Sequence, residues 1–375
     1  MTALPDFRLE TYFSRWEFAA RYNLAASDAQ SMRLSALLAL ASPEDRERFD
    51  TLHLGYTQTY GDPELRQTIA GLYEARVAHD VLCFAGAEEG LYVAMKVLLD
   101  PGDHAIVVTP NYQSAETVPA ALCDVSGVAL DPRDDWSLDI DAVAAAIRPN
   151  TRLISINFPH NPTGKILERD RFDALVDLCR RHGIWLFSDE VYRELGPTRA
   201  VHLPAAVDAY ERGVSLGVMS KAYGLPGLRI GWIACRDRDV LQRMERYKHY
   251  LSICNAGPSE VLAMIALKAR DTILARIRAT IDGNLDLLDR FFARWADRFE
   301  WYRPDGGCVA YPRYLGAEGV EAFADRLVEE AGVLLLPASN YASTLMPTPT
   351  DRFRIGFGRS DCAQALDAFE RYLER

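Results

Sequence analysis

From about residue 81 the chain alternates short apolar runs with stretches whose apolar positions recur every third or fourth residue. The runs "VLCFAG", "HAIVVTP", "RLISINFP", "IWLFSDEVY", "GVSLGVMSK" and "GWIAC" predict strands. Between them, "AEEGLYVAMKVLL", "DIDAVAAAI" and "RDRFDALVDLCRRHG" have the i, i+3, i+4 spacing of helices. Strands apolar on both faces and separated by helices predict an α/β fold, a mainly parallel sheet sandwiched by helices. Past residue 270 come long helical patterns, then "FEWYRP", "CVAYPRY", "VLLLPAS", "RFRIGFG" and a terminal helix, which predict a smaller α+β domain. Ahead of the alternation, "ETYFSRWEFAARYNL" predicts an amphipathic helix over 10–24. The expected division is an arm, 1–45, that packs on the small domain or covers the ligand cleft, a large domain, 46–270, and a small domain, 271–375.

Composition narrows the class of function. The chain has 375 residues, 49% hydrophobic and 25% charged, with no repeat of fixed period, as ordinary globular proteins do. A net charge of -11 and the lack of a basic stripe argue against nucleic acid and for a small-molecule ligand. Seven cysteines scattered singly suggest neither a disulfide framework nor a zinc site, and a reducing cytoplasm is expected. "MTALPDFRLETYF" lacks a basic stretch followed by an apolar run, and no segment approaches eighteen apolar residues, so neither export nor a membrane span is expected.

In open parallel sheets ligands sit beyond the carboxyl ends of the strands. Three predicted strands end in chemically loaded segments: "NFPHNPTG", "SDEVY" and "MSKAYG". Taken singly each has a plain structural reading. "NPTG" makes a good turn, Asp189 at a strand end can cap a helix, Lys221 can be a solvated lysine, and Arg229 can pair with a carboxylate.

In this order, and at successive strand ends, the set resembles the class I/II aminotransferases, enzymes of fold type I that use pyridoxal 5'-phosphate (PLP). The resemblance spans roughly residues 50 to 360. It implies a PLP fold type I architecture and assigns roles to matching positions. Lys221 of "SKAYGLPGLRIG" would form the Schiff base with the cofactor and then move the substrate's α-proton. An ordinary lysine titrates near ~10.4, so an apolar and cationic setting has to lower its proton affinity. Asp189 would keep the pyridine nitrogen protonated. Tyr192 and Asn161 would donate to the ring's 3'-oxygen, Asn161 also bordering the substrate. Arg229 would bind the phosphate with the backbone of Ala87 and Glu88 in "GAEEG", where a strand gives way to a helix. Tyr112 of "TPNYQSAE" would stack on the ring, and Arg354 of "RFRIGFG" would clamp the α-carboxylate, with Arg352 on the same face as the competing choice. Tyr56 of "YTQTYGDPELR" matches a tyrosine that reaches the neighbouring subunit's phosphate, which implies a homodimer with shared active sites. One position departs from the pattern: Val218 stands where relatives carry a phosphate-binding serine, three before the lysine.

The same cofactor contacts serve transaminases, lyases, cyclases, decarboxylases and oxidases. Transamination between an amino acid and a 2-oxo acid is the expectation, with elimination or cyclisation as the alternative. The segment "RWEFAARYNLAASDAQS" is also similar, more loosely, to PLP enzymes that handle arginine. That similarity makes Glu17 and Asp28 candidates for a basic side chain, although a solvated charge and a helix cap are the ordinary readings of such residues. Oxidising members carry a histidine just after that aspartate; here Ala29 and Gln30 follow, which argues against oxygen chemistry. A PLP-fold regulator without turnover would need a DNA-binding domain, for which the chain shows no helix-turn-helix pattern.

Overall fold

The computed structural model describes residues 4–74, 76–196 and 203–375. Its centre is a seven-stranded sheet in the order Val81–Phe84, Gly231–Cys235, Gly213–Val218, Trp185–Asp189, Thr151–Asn157, His104–Thr109, Asp124–Ala129. All neighbours pair parallel except Gly231–Cys235, which runs antiparallel to both of its neighbours. Each of the six predicted strands is present. The edge strand Asp124–Ala129 was not predicted, because its mixed and largely half-buried residues form no apolar run.

Local chemistry sets the helix limits. Asp237 caps Arg238–Lys248 by accepting from the N–H groups of Asp239 and Val240. Arg169–His182 ends at Gly183, whose φ of 65° provides the left-handed turn that closes a helix. Beyond the long helix Arg270–Arg294 lies a three-stranded antiparallel sheet, Val309–Ala310, Phe353–Gly356 and Leu336–Pro337, backed by the helices Val320–Ala331 and Cys362–Leu373.

The amino-terminal arm departs from expectation. The predicted helix over 10–24 is instead a helix over Arg8–Trp16; a turn follows, and Tyr22–Asn23 pairs in parallel with Val333–Leu334. That pairing competes successfully with the helical pattern and turns residues 24–30 across the carboxyl edge of the large sheet. The arm touches both halves of the molecule: Tyr12 donates to Leu335 O at 3.2 Å, while Gln113 donates to Asp6 O at 2.8 Å.

Candidate active site

The parallel strands are in register so that Asn157 pairs with Asp189, and Asp189 with Leu216. Residues leaving these strands therefore converge at one edge, where a cavity of about 370 Å³ opens beneath the arm. Lys221, Asp189, Asn161, Tyr192, Tyr112, Ala87, Glu88, Arg229, Glu17 and Asp28 all line it.

Lys221 follows the strand Gly213–Val218, and its Nζ donates to Ser27 Oγ at 2.7 Å. Burial, then the positive charge of Arg354, hold its amine below the ordinary lysine value. Asp189 is pushed up to about 6 by burial, against the pull of the Val191 N–H and of Lys221. Among the described residues its carboxylate accepts only from that N–H, at 3.2 Å, so a buried acid lines the cavity without a cation bonded to it.

Opposite lies an anion cradle. The helix Ala87–Leu98 begins after Gly86, whose φ of 99° is open to glycine and to few other residues. A Cβ on Gly86 would lie 2.4 Å from Arg229 Nη2, so the missing side chain is what lets the guanidinium approach the open helix end. Val218 packs in the core, and Ser220, two residues on, reaches the cavity wall instead. Glu88 turns its carboxyl away from the cradle to accept from Ser114 Oγ at 3.0 Å. Burial raises that carboxyl to about 7, partly offset by the Ser114 bond.

The two arginines of "RFRIGFG" separate cleanly. Arg354 is 1% exposed, with Nε 3.2 Å and Nη2 2.5 Å from Ala25 O, and Nη1 2.5 Å from the Tyr341 hydroxyl. It also reaches Asn161 Oδ1 at 3.3 Å, an oxygen that Tyr341 donates to at 2.8 Å. Arg352 lies elsewhere, stacked 4.9 Å from the centre of the Trp136 ring and donating to Tyr311 O. Tyr192 donates to Ser27 O at 2.8 Å, and Tyr112 donates to Glu10 Oε1 at 3.0 Å.

Tyr56 is absent from the cavity and 91% exposed, near the exposed Leu54 in sequence. Asp28 is paired through Oδ1 with Arg359 Nε and Nη2 at 3.1 and 2.8 Å. The Glu17 carboxylate makes no hydrogen bond or ion pair among the described residues, and burial raises it. Four neighbours escaped the sequence reading: Ser27, Glu10, Tyr341 and Arg359. Their motifs are undistinguished, and each contact joins positions far apart in the chain.

The donors suit one kind of group: a flat cationic heterocycle carrying a phosphate and an electrophilic carbon. Asp189 offers an acid lacking a bonded cation, Arg229 and the helix end offer an anion seat that a Cβ would fill, and Lys221 offers an amine less basic than an ordinary lysine. This fold and site define an enzyme that works through such a cofactor.

The pattern of the aminotransferase class I and II family matches residues 23–369. The chain is 30% identical over 378 residues to capreomycidine synthase of Streptomyces vinaceus, covering 99% of this chain and 94% of that one. It is 32% identical over 316 residues to arginine–pyruvate transaminase AruH of Pseudomonas aeruginosa, covering 80% and 77%. Among solved structures it resembles a PLP-dependent aminotransferase from Streptococcus suis, at TM-score 0.92, 28% identity and 100% and 99% coverage. It also resembles the PLP-dependent cyclase OrfR, at TM-score 0.89, 26% identity and 100% and 98% coverage. The chain belongs to the class I and II aminotransferase family. It is a PLP-dependent enzyme of the transaminase class, with PLP fold type I. No helix among the described residues is long and apolar enough to cross a membrane.

Proposed function

We propose that this enzyme transfers the amino group of an L-amino acid with a cationic side chain to a small 2-oxo acid bearing a single carboxylate. The observation that carries this reading is the charge balance of the cavity. Glu10, Glu17 and Glu88 line it, and none is ion-paired among the described residues. The cavity's own arginines are Arg359, bonded to Asp28, and Arg229, at the phosphate seat; Arg354, behind the lining and bonded to Ala25 O, Tyr341 and Asn161, would take the α-carboxylate. No cavity arginine is left for a second carboxylate, whereas Glu17 and the free Oδ2 of Asp28 can receive a guanidinium or ammonium.

When bound, PLP supplies an aldehyde that captures the substrate amine and a ring that takes up the electron pair released with the α-proton. The chain's own groups orient and move that proton. Lys221, its amine held below the ordinary lysine value, would take it and return it to the cofactor's C4' carbon. Asp189 would keep the ring nitrogen protonated. Of the residues that line the cavity, Asn161 and Tyr192 would hold the ring's 3'-oxygen, Tyr112 would stack on its face, and the N–H groups of Ala87 and Glu88 would seat the phosphate with Arg229. Tyr56, exposed on its own subunit, would complete the phosphate site of a partner in a homodimer, and the unpaired cysteines suit a cytoplasmic setting.

The test is a panel of arginine, ornithine, alanine, glutamate and aromatic amino acids in single turnover, with products read by mass spectrometry. Arginine and ornithine should react at least ~10-fold faster than glutamate; equal rates would refute the charge argument. A second reading, elimination or cyclisation of a basic amino acid, is favoured by the likeness to capreomycidine synthase and OrfR and by Glu88, a carboxyl held near neutrality that could protonate a leaving group. Turnover that consumes no acceptor 2-oxo acid, giving either free ammonia by elimination or a cyclised amino acid with loss of a leaving group, would select it.

A further inference from the structure

Residues 24–30 are seated on the small domain through backbone contacts. Gly356 N–H donates to Leu24 O at 2.6 Å, Gln30 N–H donates to Gly358 O at 2.7 Å, and Arg354 grips Ala25 O. A Cβ on Gly356 would lie 1.7 Å from Ala26 O, and one on Gly358 2.5 Å from Asp28 O. Ser27 is thus anchored on both sides. Its hydroxyl accepts from Lys221 Nζ at 2.7 Å, and its carbonyl accepts from the Tyr192 hydroxyl at 2.8 Å, with Cys308 Sγ 3.5 Å from the same oxygen.

We propose that Ser27, an arm residue to which the sequence motifs assign no role, is a positioning residue for the reacting amine. Its hydroxyl holds Lys221 whenever that amine is not joined to cofactor, while its carbonyl fixes the Tyr192 phenol. The inference rests on the reading of Lys221 as the reacting amine.

The physical argument is one of opposed influences. A hydroxyl oxygen accepts more strongly from an ammonium than from a neutral amine. The groups facing Lys221 are Arg354, Asp28, Cys308 and Asp189, with Glu17 beyond them. Burial and Arg354 drive the proton off; Ser27 Oγ and the carboxylates retain it. Ser27 also aims the amine: one N–H is spent on Oγ, so the remaining lone pair or proton is directed elsewhere in the cavity.

In Ser27→Ala the carbonyl stays and only Oγ is lost, so the amine should deprotonate at lower pH. The experiment uses the full-length apoprotein, trace-labelled with acetic anhydride across pH, with free phenylalanine as internal standard and the Lys221 peptide quantified by mass spectrometry. The midpoint should fall by about one pH unit in S27A and return in S27T, which keeps a hydroxyl. Should S27A fail to fold, S27C, a weaker acceptor, should move the midpoint in the same direction. An unmoved or raised midpoint in the folded variant overturns the proposal. Borohydride reduction of the PLP-loaded enzyme separates the two readings. A label away from Lys221 removes the assignment of the reacting amine itself, whereas a label on Lys221 with no midpoint shift removes only the role of Ser27.

Discussion

Replacing Gly86 by alanine isolates the anion cradle. The backbone there has φ 99° and ψ 170°, a region costing other residues about 1–3 kcal/mol, so the variant should lose stability of that order even without cofactor. The new Cβ would also lie 2.4 Å from Arg229 Nη2, and the guanidinium has to retreat from the helix end. A hydrogen bond to a charged group contributes about 1.5–3 kcal/mol, so the PLP dissociation constant should rise roughly 10- to 100-fold. Gly227, in the same loop as Arg229, meets nothing within 4 Å and provides the control. The assay is absorbance titration of apoprotein with PLP, alongside thermal melts of both variants. A folded G86A that binds PLP as tightly as the parent, or a G227A equally impaired, would refute the assignment of Arg229 and the helix end to the phosphate.

Other substitutions read the remaining walls. Glu17→Gln should lower kcat/KM for arginine about 10-fold or more while leaving alanine near its parent value, checked by steady-state rates on both donors. Arg354→Gln should raise KM for every amino acid, whereas Arg352→Gln, which loses its stacking on Trp136, should lower the melting temperature and leave KM unchanged. Asp189 is raised to about 6, so its negative charge grows as pH rises through that value. PLP affinity of the apoprotein should therefore increase from pH 5 to 7, and Asp189→Asn should bind more weakly with that part of the pH dependence removed, measured by titration at each pH.

Much of this was legible in the chain itself. The strands that build the sheet are buried on both faces, so burial writes itself into their composition, as in Val81–Phe84 and Gly213–Val218. Their carboxyl ends carry Asn161, Asp189 and Lys221, and the parallel register brings those three to one cavity wall. What the pattern could not disclose depends on partners remote in sequence. Tyr22–Asn23 is a strand only because Val333–Leu334 lies alongside, and an apolar periodicity that would suit a helix is overruled there. Asp124–Ala129 is an edge strand whose half-exposed residues lack a signature. Arg352 and Arg354 look equivalent until Trp136 captures one and Ala25 the other. Ser27 sits beside the candidate Asp28 but nothing local assigns it a role; its contact with Lys221 spans 194 residues of chain.

The seating of residues 24–30 through amides and carbonyls has a consequence for how such a segment can change. What it transmits is a count. Adding or removing one residue between Leu24 and Gln30 would carry the Ser27 hydroxyl off Lys221 and Asp28 off Arg359 in a single stroke, whereas solvent-facing side chains before Tyr22 can vary without altering that tally. The segment works as a ruler whose graduations are peptide units.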